Sequence, residues 1–454
     1  MFDLDFVKKE FGKYNIQYWD CRYSETESTG ISFWNKKIKH IGQGISKCVG
    51  VRVLSRDGWG FSGGTKFEKK DIRKLISDSV RMARLLDKKE KIDLGNLKTI
   101  KDSKVIKGKQ EIGKVSLEDK KDFLQEQNYS LEKPITSVFI GYSDSVEKKI
   151  FLSPFREIHQ RKDSLFLAGK VSAVDSGKSE EKHFRATGAG GFETVKNVQK
   201  ELDEAIAKTK KFIQAKPLKG GKSDLVLSGE LTGLFVHEAL GHASESDLLL
   251  VGQSCLKGRI GESLSSDFVN VLEDPTQDGF NELGSYYYDD EGIPARKNFI
   301  LKKGKLNSYL HTLETASKMG ASPTGNGRVE SSLNLPLVRM SNTYLGKGDC
   351  KFDDLIKEIK EGYFLSGFNG GETNPTDGSF QFGVGESYKI KKGKIVSPVR
   401  GGGIGGFTLD FLKKIKLIEN KYSEGSPGLC GKWGQSVPTG GKNPAVLVKE
   451  ALLV

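Results

Sequence analysis

The sequence predicts an α+β protein of two domains. An N-terminal α/β-type domain with a mixed or antiparallel sheet is expected over residues 1–215, with a divergent middle part at about 95–215. A C-terminal, mostly β domain carrying a metal-binding helix is expected over 222–454. Three observations predict this. At 454 residues the chain is long enough for two or three hydrophobic cores. The first half alternates strand-like runs with amphipathic helical ones, whereas the second is rich in glycine and hairpin signals. Between them "KPLKGGKSD" (216–224) breaks both periodicities and reads as a linker.

Taken in order, a short helix is expected from Asp3 to Tyr14, followed by a strand in the apolar alternation of "IQYWDCRYSETES". "ISFWNKKIKHIGQGISKCVGVRVLSRDGWGFSGG" gives strands broken at Gly and Asp turns. "KKDIRKLISDSVRMARLLDKK" places Ile72, Leu75, Ile76, Val80, Ala83 and Leu85 close to a 3.6-residue period, so it is read as a helix. A helix near 117–127 precedes strands at "PITSVFIGYSDSV", "KIFLSPFREIHQR" and "SLFLAGKVSAV", and "ETVKNVQKELDEAIAKTKKFIQA" returns to helix. Beyond the linker, "DLVLSG" is an apolar strand and "ELTGLFVHEALGHASESDLLL" one helix. The remainder reads as short strands and hairpins ("ARKNFILKKGKLNSYL", "YKIKKGKIVSPV") with one helix at "FDDLIKEIKEG".

Composition narrows the function classes. The formal charge is +13, but lysines are interleaved with acids ("VKKEFGK", "LLDKKEKID", "LEDKKD"), the pattern of a solvated surface. No basic stripe with aromatics is present, so nucleic acid is not expected as a partner. Five cysteines (Cys21, Cys48, Cys255, Cys350, Cys430), odd in number and far apart, do not make a disulfide framework and indicate a reducing compartment. No apolar run of about 20 residues occurs and the N-terminus lacks a signal-peptide pattern, so a cytoplasmic protein without a membrane span is expected.

The chemistry gathers at "VHEALGH", Val236 to His242. It resembles the H-E-x-x-H zinc helix, whose histidines lie four apart and share one face. Here His237 and His242 are five apart, about 140° around an ideal helix, so a regular helix cannot offer both to one ion. Either a π-bulge restores the register or the helix loosens at Gly241. With only six histidines in the chain, a chance pair beside a glutamate is the weaker reading. Glu238 stands where a general base belongs. A third ligand is still needed, and Glu245, Asp247, a distant histidine or a cysteine all qualify. His40, His159, His183 and His311 lie in ordinary strand or loop contexts. Cys21, Cys48 and Cys255 lie in apolar patterns, while Cys430 sits in "GSPGLCGKWGQSVPTG", a Gly/Pro loop able to expose and aim a thiolate.

"HEALGHASESD", "YDDEGIPARKNFILKKGKLNSYL", "TGNGR", "LPLVRMSNTYL" and "PGLCGKWGQSVPTG", in this order, closely resemble the TldD/PmbA family of metallopeptidases, in particular its TldD-type subunit. "GVRVLSRDGWGFSGG" is similar to that family's N-terminal signature, so the likeness spans nearly the whole chain. The resemblance implies Zn2+ held by His237, His242 and Cys430, with Glu238 as catalytic base. It implies hydrolysis of short or unfolded peptides by a heterodimer with a TldE/PmbA-type paralogue that lacks the metal motif, a homodimer being the alternative. Arg328 and Asn342 are candidates for stabilising an oxyanion, with a turn-forming or structural role the stronger reading for both, and Glu245 is a candidate for orienting a histidine. The competing reading is a non-catalytic metal-binding regulatory or nucleic-acid-associated subunit, against which the intact Glu238 argues.

Overall fold

The computed structural model describes residues 2–86, 91–425 and 427–454. The first half is built on a mixed seven-stranded sheet of β1 (Tyr18–Trp34), β2 (Lys37–Ser55), β3 (Gly58–Gly64), β4 (Ile100–Ile106), β5 (Ile135–Leu152), β6 (Arg156–Asp175) and β7 (Lys178–Ala189). The order is β3-β2-β1-β5-β6, and β6 then pairs with β4 and with β7. All pairings are antiparallel except β4 on β6, which is parallel over Arg156–Lys162. What reads as one strand at "KIFLSPFREIHQR" is the turn from β5 into β6 at Ser153–Phe155.

Helices Leu4–Phe11 and Lys69–Leu85 cover one end of this sheet, burying Val7, Phe11, Ile72, Ile76 and Val80 against Val49, Val51 and Val53. The Asp3 carboxylate caps the first helix by accepting from the Phe6 N–H at 3.0 Å. The expected continuation of the second helix to Lys89 falls outside the described residues beyond Leu86. Helices Leu117–Gln125 and Val198–Phe212 cover the other end, through Leu124, Val198, Leu202 and Ala205.

The second half centres on an eight-stranded sheet. Its order is Glu361–Asn374, Gly221–Leu227, Val446–Leu453, Gly403–Phe407, Ser379–Lys391, Lys394–Arg400 and Lys216–Pro217, with Ile415–Ile418 also on Val446–Leu453. The stretch 216–224 is therefore not a free linker. Lys216–Pro217 pairs with Val399–Arg400, and Gly221 already opens the next strand. Ordered pairing with distant residues overrides the local Gly/Lys signal. Two short helices, Leu313–Lys318 and Thr408–Lys413, add to the one expected at 352–362, which runs only over Phe352–Lys357 because a strand already opens at Glu361.

The two halves meet at a buried polar joint. Arg52 of β2 bridges Asp20 and Glu291, each at 2.6 Å, and lies 4.3 Å from the Trp59 ring centre. Glu291 also accepts from the Leu313 N–H at 2.7 Å. Gly50 is required here by close approach, since a Cβ would lie 1.9 Å from the Ser332 carbonyl oxygen.

Candidate metal centre

The motif segment is not one helix but four joined pieces. Ser228 caps an α-helix over Gly229–Phe235, its hydroxyl accepting from the Leu231 N–H. A π turn follows over Val236–Gly241, then a 3₁₀ turn over His242–Ser244, and an α-helix over Ser246–Leu250. In the π turn the His242 N–H reaches the His237 carbonyl, five residues back. Of the two alternatives for the five-residue spacing, the backbone takes the π-bulge. Gly241 does not break the helix; its φ of −60° is helical. It is glycine because a Cβ would meet the Met340 Sδ at 2.0 Å. Leu231, Phe235, Val236 and Leu240 anchor the segment in the core of this half.

The π turn brings His237 and His242 side by side, with ring centres 5.3 Å apart. Cys430 meets them from a hairpin formed by Gly428–Lys432 and Gln435–Thr439. The expected Gly/Pro loop is thus a strand, and the thiol is buried rather than exposed. The hairpin closes at Trp433 and Gly434, both in the left-handed region (φ 48° and 78°), as a two-residue turn demands. Cys430 Sγ lies 3.3 Å from His242 Nε2. One donor atom from each of His237, His242 and Cys430 falls within 4.8 Å of the others, and no further His, Cys, Asp or Glu of the described residues joins them.

Electrostatics suit a thiolate. Burial would push the Cys430 thiol up, but the two imidazoles beside it reverse this and bring it down to about 5. Burial opposes protonation of His242, yet Glu245 and Cys430 together hold its pKa well above the ordinary value. Glu245 accepts from His242 Nδ1 at 2.9 Å, on the side of the ring away from Cys430, so it orients the imidazole and does not face the cluster. Lys432 Nζ lies 3.0 Å from Glu245 and 2.6 Å from Asp247, which occupies both acids away from the cluster. Although burial works against its charge, Lys432 and His242 keep the Glu245 carboxyl at about 2. Arg339, fully buried, donates to the Cys430 carbonyl and to the Gln435 carbonyl and so fixes the hairpin.

Glu238 Oε2 lies 3.8 Å from His242 Nε2, and its side chain opens into a cavity of about 140 Å³ shared with Arg185, Leu429 and Thr439. Arg185 reaches this cavity from β7 and is ion-paired with Glu230 at 2.6 Å. Other candidates lie elsewhere. Arg328 donates through Nη1 to the Met340 and Pro438 carbonyls. Asn342 is fully buried and donates to the Asp274 carbonyl and to Ser285. His40 and His159 lie on β2 and β6, His183 on β7, and His311 is buried beside Thr315. Arg185 carries no sequence signal of its own, because it reaches the site from β7, whereas Arg339 and Lys432 lie inside the "LPLVRMSNTYL" and "PGLCGKWGQSVPTG" motifs, which do not by themselves reveal their contacts.

The chain matches two models of known families, PmbA/TldA metallopeptidase domain 1 over residues 19–83 and PmbA/TldA metallopeptidase C-terminal domain over 220–453. A metalloprotease of Methanocaldococcus jannaschii is 38% identical over 448 residues, covering 97% of each chain. A zinc metalloprotease TldD homolog of Saccharolobus solfataricus is 29% identical, covering 95% of each. Among solved structures, a Thermotoga maritima protein described as a candidate modulator of DNA gyrase superposes with a TM-score of 0.82 at 22% identity, over 99% of each chain. TldE of Thermococcus kodakarensis gives 0.75 at 16% identity, over 99% of this chain and 98% of that one. These two likenesses show the shared fold. With both family domains matched in order and relatives alike from end to end, this chain belongs to the TldD/PmbA family of metallopeptidases.

Proposed function

We propose that the chain is a zinc-dependent peptidase acting on short or unfolded peptides, with its catalytic residues in a domain spanning 222–454. The convergence of His237, His242 and Cys430 beside Glu238 at an open cavity carries this reading. The donor set suits zinc, since donors of a tetrahedral zinc lie about 3.3–3.6 Å apart and Sγ to Nε2 is 3.3 Å. Three protein donors leave one position open, as in catalytic zinc sites. When bound, zinc supplies a Lewis acid for the peptide carbonyl and a water of lowered pKa. The Glu238 carboxylate takes the proton of the attacking water and returns it to the leaving amine. Glu245 on Nδ1 keeps Nε2 of His242 turned toward Cys430.

An intact H-E-x-x-x-H favours the TldD-type role, working with a TldE-type partner in the cytoplasm, and the TldE likeness supports that pairing. No helix among the described residues is long and apolar enough to cross a membrane. A non-catalytic regulatory subunit is the second reading, supported by the description of the Thermotoga maritima protein. Metal analysis with peptide cleavage, run with a TldE-type partner present, separates them. About one zinc per chain is expected in wild type and in Glu238→Ala, less in Cys430→Ser, and cleavage lost in both variants. Full activity in Glu238→Ala sinks the proton-transfer role, and undiminished zinc in Cys430→Ser removes that donor.

A further inference from the structure

A second cavity, of about 170 Å³, lies between the two halves and takes no part in the chemistry above. Strands β5 and β6 contribute Lys149 and Lys162, and the second half contributes residues 285–290 and Arg328. Most of its charges are already matched. Lys149 lies 3.1 Å from Asp290 and 3.3 Å from Glu147. Arg161 is held by Asp163 and Glu111, and Lys104 by Asp102. Asp289 accepts from the backbone of Glu291, Ile293 and Gly327, and burial with Glu291 nearby pushes its pKa well up. Glu330 is exposed at the rim.

Two cations have no close ion pair. Lys162 Nζ donates to the Leu283 carbonyl at 2.5 Å, and Glu147, opposite it across the strands, and Asp290 favour its charge without forming an ion pair with it among the described residues. Arg328, buried against the Tyr286 ring, commits only Nη1, and only to carbonyl oxygens. Two like charges in a half-enclosed, partly desolvated space are costly unless an anion joins them. In keeping with this, burial and then Arg328 bring the Lys162 ammonium down to about 7.

The position of this pair links it to the metal centre. Pro438, whose carbonyl Arg328 holds, faces Leu429 across the hairpin, and the next cross-strand pair is Cys430 with Val437. Leu429 lines the Glu238 cavity and an adjoining one, and Pro438 lines that adjoining cavity and the Lys162 cavity. The Glu238 cavity, the adjoining one and the Lys162 cavity therefore follow one another over the hairpin. Leu429 and Pro438 form a cross-strand pair of the hairpin, about 5 Å apart, so the adjoining cavity sits directly over it.

We propose that Lys162 and Arg328 form an anion subsite that binds the C-terminal carboxylate of a short peptide lying across the Cys430 hairpin. The arrangement offers an ammonium and a guanidinium with free N–H groups, the partners a carboxylate takes most strongly. This assignment rests on the peptidase reading for its ligand.

The test is calorimetric binding to the full chain carrying Glu238→Gln, with three probes: a short unstructured peptide acid, its C-terminal amide, and inorganic phosphate. The acid is expected to bind about tenfold more tightly than the amide. Lys162→Gln, which keeps an N–H for the Leu283 carbonyl, is expected to erase that preference, and Lys162→Arg to retain most of it. Equal binding of acid and amide, or a preference that survives Lys162→Gln, overturns the subsite and leaves the peptidase reading intact. Lys162-dependent binding of phosphate without peptide overturns the peptide assignment, and binding of none of the three overturns the subsite altogether. A Lys162-dependent acid preference, together with no cleavage by the wild-type chain and its TldE-type partner, upholds the subsite and tells against the peptidase reading alone.

Discussion

At Gly241 the side chain that is missing matters more than the backbone freedom. A methyl group there would lie 2.0 Å from the Met340 Sδ. Gly241→Ala is expected to lose about 1–3 kcal/mol in denaturant unfolding. Gly241→Ala with Met340→Ala should lose less than the two single losses added, because the methyl then has room. Simple additivity would show that the packing argument is wrong. The five-residue histidine spacing is legible in the sequence because it depends on 3.6-residue geometry alone. The role of Gly241 is not, since Met340 is about a hundred residues away in the chain. Glu245 is visible only as a nearby acid. Its contact with His242 depends on the chain leaving the π turn through a 3₁₀ turn, and on Lys432 arriving from the hairpin.

Among elements, long strands and helices are those the sequence shows best, because a periodic face of several residues outweighs local noise. Short pieces go wrong for a common reason. Lys216–Pro217 and the Cys430 strand carry turn-like residues, and only pairing with remote partners makes them strands. The start of β6 gives a prediction of its own. Glu157 is held by Lys8 of the first helix at 2.6 Å and by Lys101 of β4 at 3.2 Å. These hydrogen-bonded ammonium groups, Lys8 foremost, lower its pKa from 4.5 to about 2. The folded carboxyl resists protonation that the unfolded one accepts, so its stabilisation is present above pH 4.5 and lost as pH falls toward 2. Acid unfolding of wild type and Glu157→Gln should show a stability gap that closes across that window. A gap independent of pH would refute the linkage.

For the molecule as a whole, the Arg52 joint decides whether the halves behave as one. Asp20 and Glu291 are fully buried and share the same guanidinium. Arg52→Met strands the Glu291 carboxylate and leaves Asp20 only Arg22, at 3.6 Å, with an expected loss of about 3–5 kcal/mol. Calorimetry should show one unfolding transition in wild type and either a large drop in its midpoint or a split into two in the variant. An unchanged single transition would mean that apolar packing alone joins the halves. Nothing in the local sequence announces this joint, because its members come from β1, β2 and a loop far down the chain.

His242 and Cys430 are separated by 188 positions, and the strands of the eight-stranded sheet are distributed across that interval and on both sides of it. A chain growing on the ribosome thus displays both histidines and Glu238 long before the thiol exists. The Cys430 hairpin follows all but the final strand of that sheet, so a prematurely ended product keeps the whole H-E-x-x-x-H run yet lacks the thiol that meets it.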